Sequence, residues 1–393
     1  MYDFEFHAPT KIHFGVGAEK KVGSELKALN LKNVMVLYGG GSAVRSGLIG
    51  RITADLEANG VPYLTRGGVE PNPKLGFVLE SAKICNEKGV DFILAVGGGS
   101  VIDSAKAIGM AAKCENDPWL VMTHQAEPPE DIIPVGAVPT LAATGSEMGW
   151  GFVISNPEVR RKQASHHAKS YPVVSFLNPE LTFSTPPFQT ACGIVDSMMH
   201  TFERYFYDVD EFELTDRIAE SVLISIKRAG VIAMAEPNNY EARATLLWAS
   251  SLSHNGLTGC GRHIRMFAVH PIENTLSGMY DHVAHGAGLS VLYPAWAKLV
   301  YKYDIKRFAR LAKVLWDVPE DYGTEEEIAA KGIEEMIAFF RSLGMPTTMR
   351  ELDIPASDFE AMADHISRNG KFATPSYIPI GREEMLAMFK LAE

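Results

Sequence analysis

The fold is decided by Asp91-Phe-Ile-Leu-Ala-Val96-Gly-Gly-Gly-Ser100, a short apolar run that three glycines and a serine follow directly. The run is the most strand-like in the sequence, and residues 101–112 after it have a helical pattern. A strand, a glycine turn and a helix in this order surround a phosphate with unpaired backbone N–H groups and the positive end of the helix. The order therefore predicts one strand–turn–helix unit of an α/β sheet, with a turn that could hold a phosphate.

Strands and helices alternate on both sides of this stretch, between residues 33 and 138. Predicted strands cover residues 34–38, 63–65, 91–96 and 132–138, and predicted helices cover residues 44–59, 74–88 and 101–112. This alternation is typical of a parallel sheet with crossover helices. We therefore expect a Rossmann-like α/β domain in the N-terminal part of the chain.

Polar loops follow three of the predicted strands. They are Gly39-Gly40-Gly41-Ser42 after the first strand, Gly97-Gly98-Gly99-Ser100 after the third, and Pro139–Glu147 after the fourth. A single glycine-rich strand end without GxGxxG spacing is as often only a tight turn. Three such loops favour a ligand site, because ligands of doubly wound sheets bind at the carboxyl ends of strands.

The first glycine turn bears on the choice of cofactor. Proteins that select NAD commonly carry an acidic residue after such a strand to bind the ribose diol, whereas NADP binders must accept a phosphate there. Gly39 to Ser42 contain no carboxylate, and Arg45 follows three residues later. The sequence therefore favours NADP(H), with NAD(H) as the alternative.

Helical patterns dominate the second half of the chain. They cover residues 188–205, 216–235, 240–255, 285–300 and 325–343. Pro179, Pro186 and Pro187 punctuate the chain just before them. A length of 393 residues also favours two domains. We expect an α/β domain over residues 1–187 and an all-helical domain over residues 188–393.

A pair of candidate metal ligands lies near the start of the second domain, in Cys192-Gly-Ile-Val-Asp196-Ser-Met-Met-His200-Thr-Phe-Glu203. Positions four apart stack on one helix face, so Asp196 and His200 would present an oxygen and a nitrogen to one point. An ordinary surface ion pair would have the same spacing. The apolar neighbours favour a site, because a carboxylate is rarely buried unless it is paired or ligated.

Two more histidines complete a possible metal site. His270 precedes Pro271, which fits the first turn of a helix, and His285 begins the run His285-Gly-Ala-Gly288. One carboxylate and three imidazoles suit Fe(II), Zn(II) or a similar ion. A lone histidine is more often a satisfied core residue, and the nearby His282 competes with His285 as the fourth ligand.

Composition and charge exclude other classes of protein. The formal charge of -11 and the pI near 5.6 argue against a nucleic-acid surface. The start of the chain lacks a signal-peptide pattern and no apolar run is long enough to span a bilayer, so we expect a cytoplasmic protein with no membrane partner. The four cysteines form no CxxC pair and are expected to be reduced.

These features occur together in a known family. The chain resembles the iron-containing, group III, alcohol dehydrogenases, and within them the branch of butanol dehydrogenases and NADPH-dependent aldehyde reductases. The resemblance runs over nearly the whole chain, and so many ordered motifs are more specific than any one of them. The motifs are Pro9–Gly17, Tyr38–Ser42, Glu70–Pro73, Ala95–Asp103, Ala143–Glu147, Asp196 with His200, and His285–Ser290 ahead of Pro294.

The resemblance implies an architecture and a site. It implies a nucleotide-binding α/β domain and a helical domain, as in dehydroquinate synthase, with the active site in the cleft between them and two chains in a homodimer. It implies one divalent metal, Fe²⁺ or Zn²⁺, through which its ligands Asp196, His200, His270 and His285 act in catalysis. It also implies residues for each part of the cofactor. Gly40 and Ser42, in one turn with Gly39 and Gly41, would lie at the adenosine 2′-phosphate, and Gly97, Gly98, Gly99, Ser100 and Asp103 would lie at the pyrophosphate. Thr140, Thr144 and Ser146 would lie along the nicotinamide, and Lys162 would reach the cofactor ribose.

Two departures from the family pattern affect the expected chemistry. Many members carry a second histidine four residues after the third ligand, and here that position is Asn274. We therefore expect protons to come from solvent or the cofactor ribose, with His263 and His282 as candidate relays. The gap between the pair Tyr280-Asp281 and the ligand His285 is also one residue longer than is usual in the family.

The leading hypothesis is an NADP(H)-dependent metal alcohol dehydrogenase that chiefly reduces short- to medium-chain aldehydes, with butanol-like alcohols as products. A lyase resembling dehydroquinate synthase, which uses a metal and transient NAD, is the alternative. Only Arg262 and Arg265 near His270 would bind its phosphorylated substrate. A non-catalytic nucleotide-binding module is the third hypothesis, and the cost of a buried ligand quartet argues against it.

Overall fold

The computed structural model describes residues 1–206, 212–262 and 267–393 of the chain. The described residues form two compact units, and each is assembled from separate stretches. The α/β unit comprises His7–Thr185 and Pro237–Asn255, and the helical unit comprises Met1–Phe6, Pro186–Glu236 and Gly256–Glu393. The helix within Pro237–Asn255 packs in the α/β unit, although the division at residue 187 assigns it to the helical domain.

The α/β unit is built on a six-stranded parallel sheet, which confirms the prediction from alternating strands and helices. The strands of the unit are β1 (Lys11–Phe14), β2 (Val34–Gly39), β3 (Tyr63–Val69), β4 (Phe92–Gly97), β5 (Val135–Pro139), β6 (Gly151–Asn156), β7 (Arg161–His166) and β8 (Val174–Leu177). The order in the sheet is β1-β8-β5-β4-β2-β3, and β6 and β7 form a separate antiparallel pair.

Helices bury both faces of this sheet. Met35 and Ile93 contribute to one apolar core, whereas their neighbours Val36 and Leu94 contribute to another. Burial on both faces explains why the run over residues 91–96 is continuously apolar and does not alternate with polar residues. The helices from the first part of the chain are α1 (Val22–Ala28), α2 (Ser42–Arg45), α3 (Leu48–Ala58), α4 (Leu75–Lys88), α5 (Gly99–Ala111) and α6 (Pro118–Met122).

Some elements of this unit differ from the sequence prediction. The predicted helix over residues 44–59 is interrupted between α2 and α3, because Gly47 has a left-handed backbone angle, φ 72°. The β6–β7 hairpin and the strands β1 and β8 are additions that the alternating pattern over residues 33–138 does not include.

The second part of the chain is helical. Its helices are α7 (Pro187–Tyr205), α8 (Glu213–Ala235), α9 (Tyr240–His254), α10 (His270–Met279), α11 (His285–Val300), α12 (Ile305–Trp316), α13 (Glu325–Ser342), α14 (Phe359–Ile366) and α15 (Arg382–Leu391). Of these, α9 belongs to the α/β unit. The described residues of the helical unit include no strand, which confirms the predicted helical part. Among the described helices, none is both long and apolar enough to cross a membrane.

Candidate active site

Asp196 and His200 lie one turn apart on α7, as their spacing predicts. Both side chains are buried, with 3% and 5% of the residue surface exposed. Nε2 of His200 lies 3.7 Å from Oδ1 of Asp196, which is too long for a hydrogen bond. Two ligand atoms that bind the same tetrahedral metal ion at about 2.1 Å lie about 3.4 Å apart. The observed separation therefore suits two ligands of one ion.

His270 and His285 complete the group. Each is the first residue of its helix, α10 or α11, and each places Nε2 at 3.6 Å from Oδ1 of Asp196. The ligand atoms of Asp196, His270 and His285 all lie within 4.8 Å of one another. The ring of His200 stacks on that of His270, with 4.8 Å between the ring centres. Three imidazoles therefore surround one carboxylate oxygen.

Two buried glutamates hold the outer nitrogens of these imidazoles. Glu203 bonds Nδ1 of His270, and Glu273 bonds Nδ1 of His285. Because Nδ1 bonds a carboxylate, the other ring nitrogen, Nε2, faces Asp196 and is the one available to a metal ion. The two rings are thus oriented to bind a metal ion, and binding would release any proton that Nε2 carries.

Sequence reasoning missed both glutamates. Glu203 stands three residues after His200, and Glu273 stands three residues after His270, so an acidic residue one helical turn after two of the candidate ligands was a usable signal. The true partners are more distant. Glu203 bonds His270, which is 67 residues away, and Glu273 bonds His285 on the following helix.

The charges of the group favour a bound cation. Burial opposes ionisation of Asp196, but the surrounding imidazoles, His200 foremost, outweigh it and hold the pKa of this carboxyl well below its usual range. Burial also lowers the pKa of His270, but Glu203 and Asp196 together raise it to about 9. Asp196, Glu203 and Glu273 are three buried carboxylates, so a positive ion stabilises the group.

The residues present fit a divalent metal ion. Within the described ranges, Oδ1 of Asp196 and Nε2 of His270 are buried and make no hydrogen bond. Leaving such atoms without a partner is costly, and a cation would satisfy both. One carboxylate oxygen and three imidazole nitrogens suit Fe²⁺ or Zn²⁺. Asp196, His200, His270 and His285 would hold the ion.

Two glycines explain how α11 brings His285 to this group. A Cβ on Gly286 would lie 2.4 Å from the carbonyl oxygen of Cys192 and 2.6 Å from its Cα, an approach that only glycine permits. A Cβ on Gly288 would lie 2.6 Å from Oε1 of Glu273. The helix α11 therefore packs directly on the backbone of α7 and on the glutamate that orients His285.

The other histidines named from the sequence are placed differently. His282 is exposed, and its Nε2 lies 3.0 Å from the carbonyl oxygen of Leu352, so it is not part of the group. Asn274, which stands where many members of the family have a histidine, is buried on α10. His263 and Arg265 lie outside the described residues.

Replacing Glu203 by glutamine is expected to weaken metal binding about 10- to 100-fold, because a neutral amide holds Nδ1 of His270 less firmly than a carboxylate does. Glu273→Gln is expected to act in the same way through His285. The measurement is the affinity of metal-free protein for Zn²⁺, obtained by competition with a chelator of known affinity.

Glu220→Gln is the matched control for this experiment. Glu220 is an equally buried carboxylate of the helical unit, but it accepts hydrogen bonds from Tyr205 and Arg310. Its replacement is expected to leave the Zn²⁺ affinity unchanged. If Glu203→Gln and Glu220→Gln bind Zn²⁺ equally well, the glutamate of α7 does not orient a ligand.

The polar loops predicted to bind a nucleotide lie at one edge of the sheet in the α/β unit. The strands β2, β4 and β5 are adjacent and parallel, so their carboxyl ends lie side by side. A Cβ on Gly99 would lie 2.4 Å from Cγ2 of Thr144, so glycine lets two of these loops touch. The loops at this edge are Gly39–Ser42, Gly97–Ser100 and Thr140–Ser146.

Some predicted cofactor residues have partners within the unit. Ser146 donates from Oγ to Oδ1 of Asp103 at 2.7 Å, and both side chains are buried. Lys162 lies on β7 and is also buried, and its charge acts on Asp103. Thr140 donates its backbone N–H to the carbonyl oxygen of Gly97 at 3.1 Å. Contact of these residues with a cofactor stays a prediction.

Two family models match the chain. The model of the iron-containing alcohol dehydrogenases matches residues 9–179. The C-terminal model of the Fe-containing alcohol dehydrogenase family matches residues 190–392. The first match covers the strands and glycine turns of the α/β unit, and the second covers all four candidate metal ligands.

Individual relatives are similar over nearly their whole length. The chain is 38% identical over 391 residues to NADH-dependent butanol dehydrogenase A of Clostridium acetobutylicum, with 99% of each chain covered. It is 36% identical over 375 residues to the NADPH-dependent aldehyde reductase YqhD of Escherichia coli, with 94% of each covered. The crystal structure of NADH-dependent butanol dehydrogenase A of Thermotoga maritima has a TM-score of 0.95 and 35% identity, covering 100% of this chain and 99% of that one.

Proposed function

The chain belongs to the iron-containing alcohol dehydrogenase family, and we propose that it interconverts short- or medium-chain aldehydes and primary alcohols with a metal ion and a nicotinamide cofactor. The observation that carries this proposal is the group of three imidazoles around Oδ1 of Asp196. Relatives named butanol dehydrogenase and aldehyde reductase support the substrate class. The proposed ion is Fe²⁺ or Zn²⁺.

Each part of the proposed site has a chemical task. A bound divalent ion supplies Lewis acidity to the aldehyde oxygen, and a bound nicotinamide supplies hydride. Asp196 and the imidazoles hold the ion and leave it a net positive charge, because only one of the four ligands is anionic. Glu203 and Glu273 keep two of the imidazoles oriented. The ring of Phe267, centred 5.0 Å from that of His270, covers one side of the group.

We do not favour a lyase resembling dehydroquinate synthase. Such an enzyme needs cationic side chains that are available to a phosphorylated substrate. Arg262 is buried and paired with Asp216, and it also donates to the carbonyl oxygen of Arg204 at the end of α7. Its charge is therefore committed to the structure of the helical unit.

We propose NADP(H) as the preferred cofactor. The turn after β2, Gly39–Ser42, contains no carboxylate that would repel a 2′-phosphate. A Cβ on Gly41 would lie 3.1 Å from Nη1 of Arg45, so this guanidinium lies beside the turn, and arginine suits phosphate. The names of the relatives do not decide the question, although both butanol dehydrogenases specify NADH and the aldehyde reductase specifies NADPH.

One acidic side chain that sequence reasoning missed favours NAD(H) instead. Gly39 of β2 pairs with Val69 of β3, so Glu70 follows at the same edge of the sheet, one strand away from the glycine turn. It is exposed, and NAD binders use an acidic side chain in this region to hold the ribose diol. The proposal is therefore a preference for NADP(H) without strict selectivity.

Purified protein supplied with butanal is expected to oxidise NADPH with a KM about tenfold lower than that for NADH, since a partly exposed phosphate contact contributes about 1.4 kcal/mol. Gly40→Asp is expected to reverse this preference, because the new carboxylate would meet the 2′-phosphate. Gly40 tolerates a side chain, since nothing lies within 4 Å of the position of a Cβ. Initial rates at varied cofactor concentration give both KM values.

Gly40→Asn is the matched control, because asparagine has the size of aspartate without its charge. If both variants change the two KM values equally, charge at this turn does not select the cofactor. If butanal oxidises neither NADPH nor NADH in the presence of Fe²⁺ or Zn²⁺, the proposed function itself is wrong.

We also propose that the protein is cytoplasmic and that it forms a homodimer, the assembly that the family resemblance implies. Light scattering during gel filtration measures the assembly. A single 43.0 kDa chain at micromolar concentration would contradict the dimer.

A further inference from the structure

We infer that Lys106 is a positioning residue for the cofactor, because its ammonium ties one predicted cofactor loop to the helix that begins at the other. The inference rests on the proposed cofactor site at the sheet edge. It concerns the α/β unit only and does not involve the metal ligands.

The ammonium of Lys106 is fully buried on α5. Its Nζ donates to both the carbonyl oxygen and the hydroxyl of Ser146, each at 2.7 Å, to the carbonyl oxygen of Gly149 at 2.8 Å, and to that of Gly151 at 2.9 Å. An ammonium has three donors and no acceptor, so these four oxygen atoms share all of its donors. A buried lysine normally needs partners for its charge, and here oxygen atoms of residues 146–151 surround the ammonium while the carboxylate of Asp103 acts on it from the same helix.

Asp103 reinforces the same connection. Its Oδ1 accepts from the hydroxyl of Ser146 at 2.7 Å, and its Oδ2 accepts from the backbone N–H of Val153 at 3.0 Å. The hydroxyl of Ser146 therefore links the carboxylate of Asp103 to the ammonium of Lys106. Opposite charges of one helix thus hold the two ends of the segment 146–153.

These contacts follow one face of α5. Gly99, Asp103 and Lys106 are spaced by four and three residues, so they lie in a row along the helix. Gly99 meets Thr144, and the next two residues of the row meet residues 146–153. Because α5 starts at the turn Gly97–Ser100, the row fixes the distance between this turn and the loop after β5.

A bound dinucleotide must contact the turn Gly97–Ser100 and the loop after β5 at the same time. Its pyrophosphate is expected at the turn Gly97–Ser100, and its nicotinamide half along Thr140–Ser146. A fragment that ends at the pyrophosphate and its ribose needs only the glycine turns. Loss of the Lys106 contacts should therefore weaken binding of the whole dinucleotide and spare the fragment.

The test compares Lys106→Met with the wild-type protein by calorimetric titration. The ligands are NADP⁺ with its fragment 2′-phospho-ADP-ribose, and NAD⁺ with its fragment ADP-ribose. The affinity of Lys106→Met for the preferred dinucleotide is expected to fall at least about tenfold, as for the loss of a buried charged donor. Its affinity for the matching fragment is expected to change less than about twofold, because the glycine turns are untouched and Asp103 keeps its hydrogen bonds to Ser146 and Val153.

Ile108→Val controls for a general loss of stability. Ile108 is fully buried on the same helix, and its shortening removes one methyl group without touching a hydrogen bond. Both affinities are expected to stay at the wild-type value in this variant. Should Lys106→Met fail to fold, Lys106→Gln, which keeps an amide donor for one carbonyl group, is measured in the same way.

The outcomes separate this inference from the proposed function. Wild-type protein that binds neither dinucleotide would refute the cofactor site, and the inference with it. The inference alone would be overturned if wild-type protein binds the dinucleotide but the Lys106 variant loses affinity for dinucleotide and fragment equally. The same holds if that variant loses only thermal stability. A selective loss of dinucleotide affinity supports both.

Discussion

Removal of the divalent metal is expected to slow the reduction of butanal by at least about a thousandfold. Lewis acidity contributes several kcal/mol to the transition state, and about 1.4 kcal/mol corresponds to a factor of ten. The protein is dialysed against a chelator, its metal content is measured by mass spectrometry, and the rate is followed by NADPH absorbance. Adding back Fe²⁺ or Zn²⁺ is expected to restore the rate.

Asp196→Ala and His270→Ala are expected to show the same loss without dialysis. Each variant removes one ligand from the buried group, so the ion is released. His365→Ala is the control, since His365 is an exposed histidine on α14 of the same unit. Full activity of protein shown to be free of metal would contradict the proposed chemistry. Wild-type metal content in Asp196→Ala would place the ion elsewhere.

Gly286→Ala is expected to lower metal affinity and activity by on the order of a hundredfold, which is a typical effect of a 1 Å misplacement in an active site. The new Cβ would lie 2.4 Å from the carbonyl oxygen of Cys192, whereas ordinary contacts begin near 3.4 Å. The helices α11 and α7 must therefore separate by about 1 Å. His285 begins the first helix and Asp196 lies on the second, so two ligands move apart.

Gly50→Ala is the matched control for this substitution. Gly50 lies within α3, and nothing lies within 4 Å of the position of its Cβ. Alanine there is expected to raise the free energy of unfolding by about 0.5–1 kcal/mol and to leave the metal content unchanged. Thermal unfolding and metal analysis of both variants complete the test. Wild-type metal affinity in Gly286→Ala would show that close packing of α11 on α7 does not position the ligands.

Much of the fold could be predicted because its signals are local. The apolar run over residues 91–96 and the glycines after it specify a buried strand and a turn without reference to distant parts of the chain. The β6–β7 hairpin lies beyond the alternating pattern of residues 33–138, and its two strands are antiparallel to each other, so that pattern does not predict it. The position of α9 in the α/β unit depends on tertiary packing, which periodicity does not encode.

The candidate site shows the same division. Asp196 and His200 could be found from their spacing, because one helical turn separates them. The pairing of Glu203 with His270 depends on how α7 and α10 meet, so local sequence gives the wrong partner. Lys106 was missed for a related reason, since a lysine within an apolar helix identifies no loop that would surround it.

The most direct test of the central claim is the position of the metal ion itself, measured by anomalous diffraction at its absorption edge from crystals of metal-loaded protein. We predict one peak about 2.0–2.2 Å from Oδ1 of Asp196 and from Nε2 of His200, His270 and His285. A peak ligated by His282, or one that lies away from Asp196, would contradict the account.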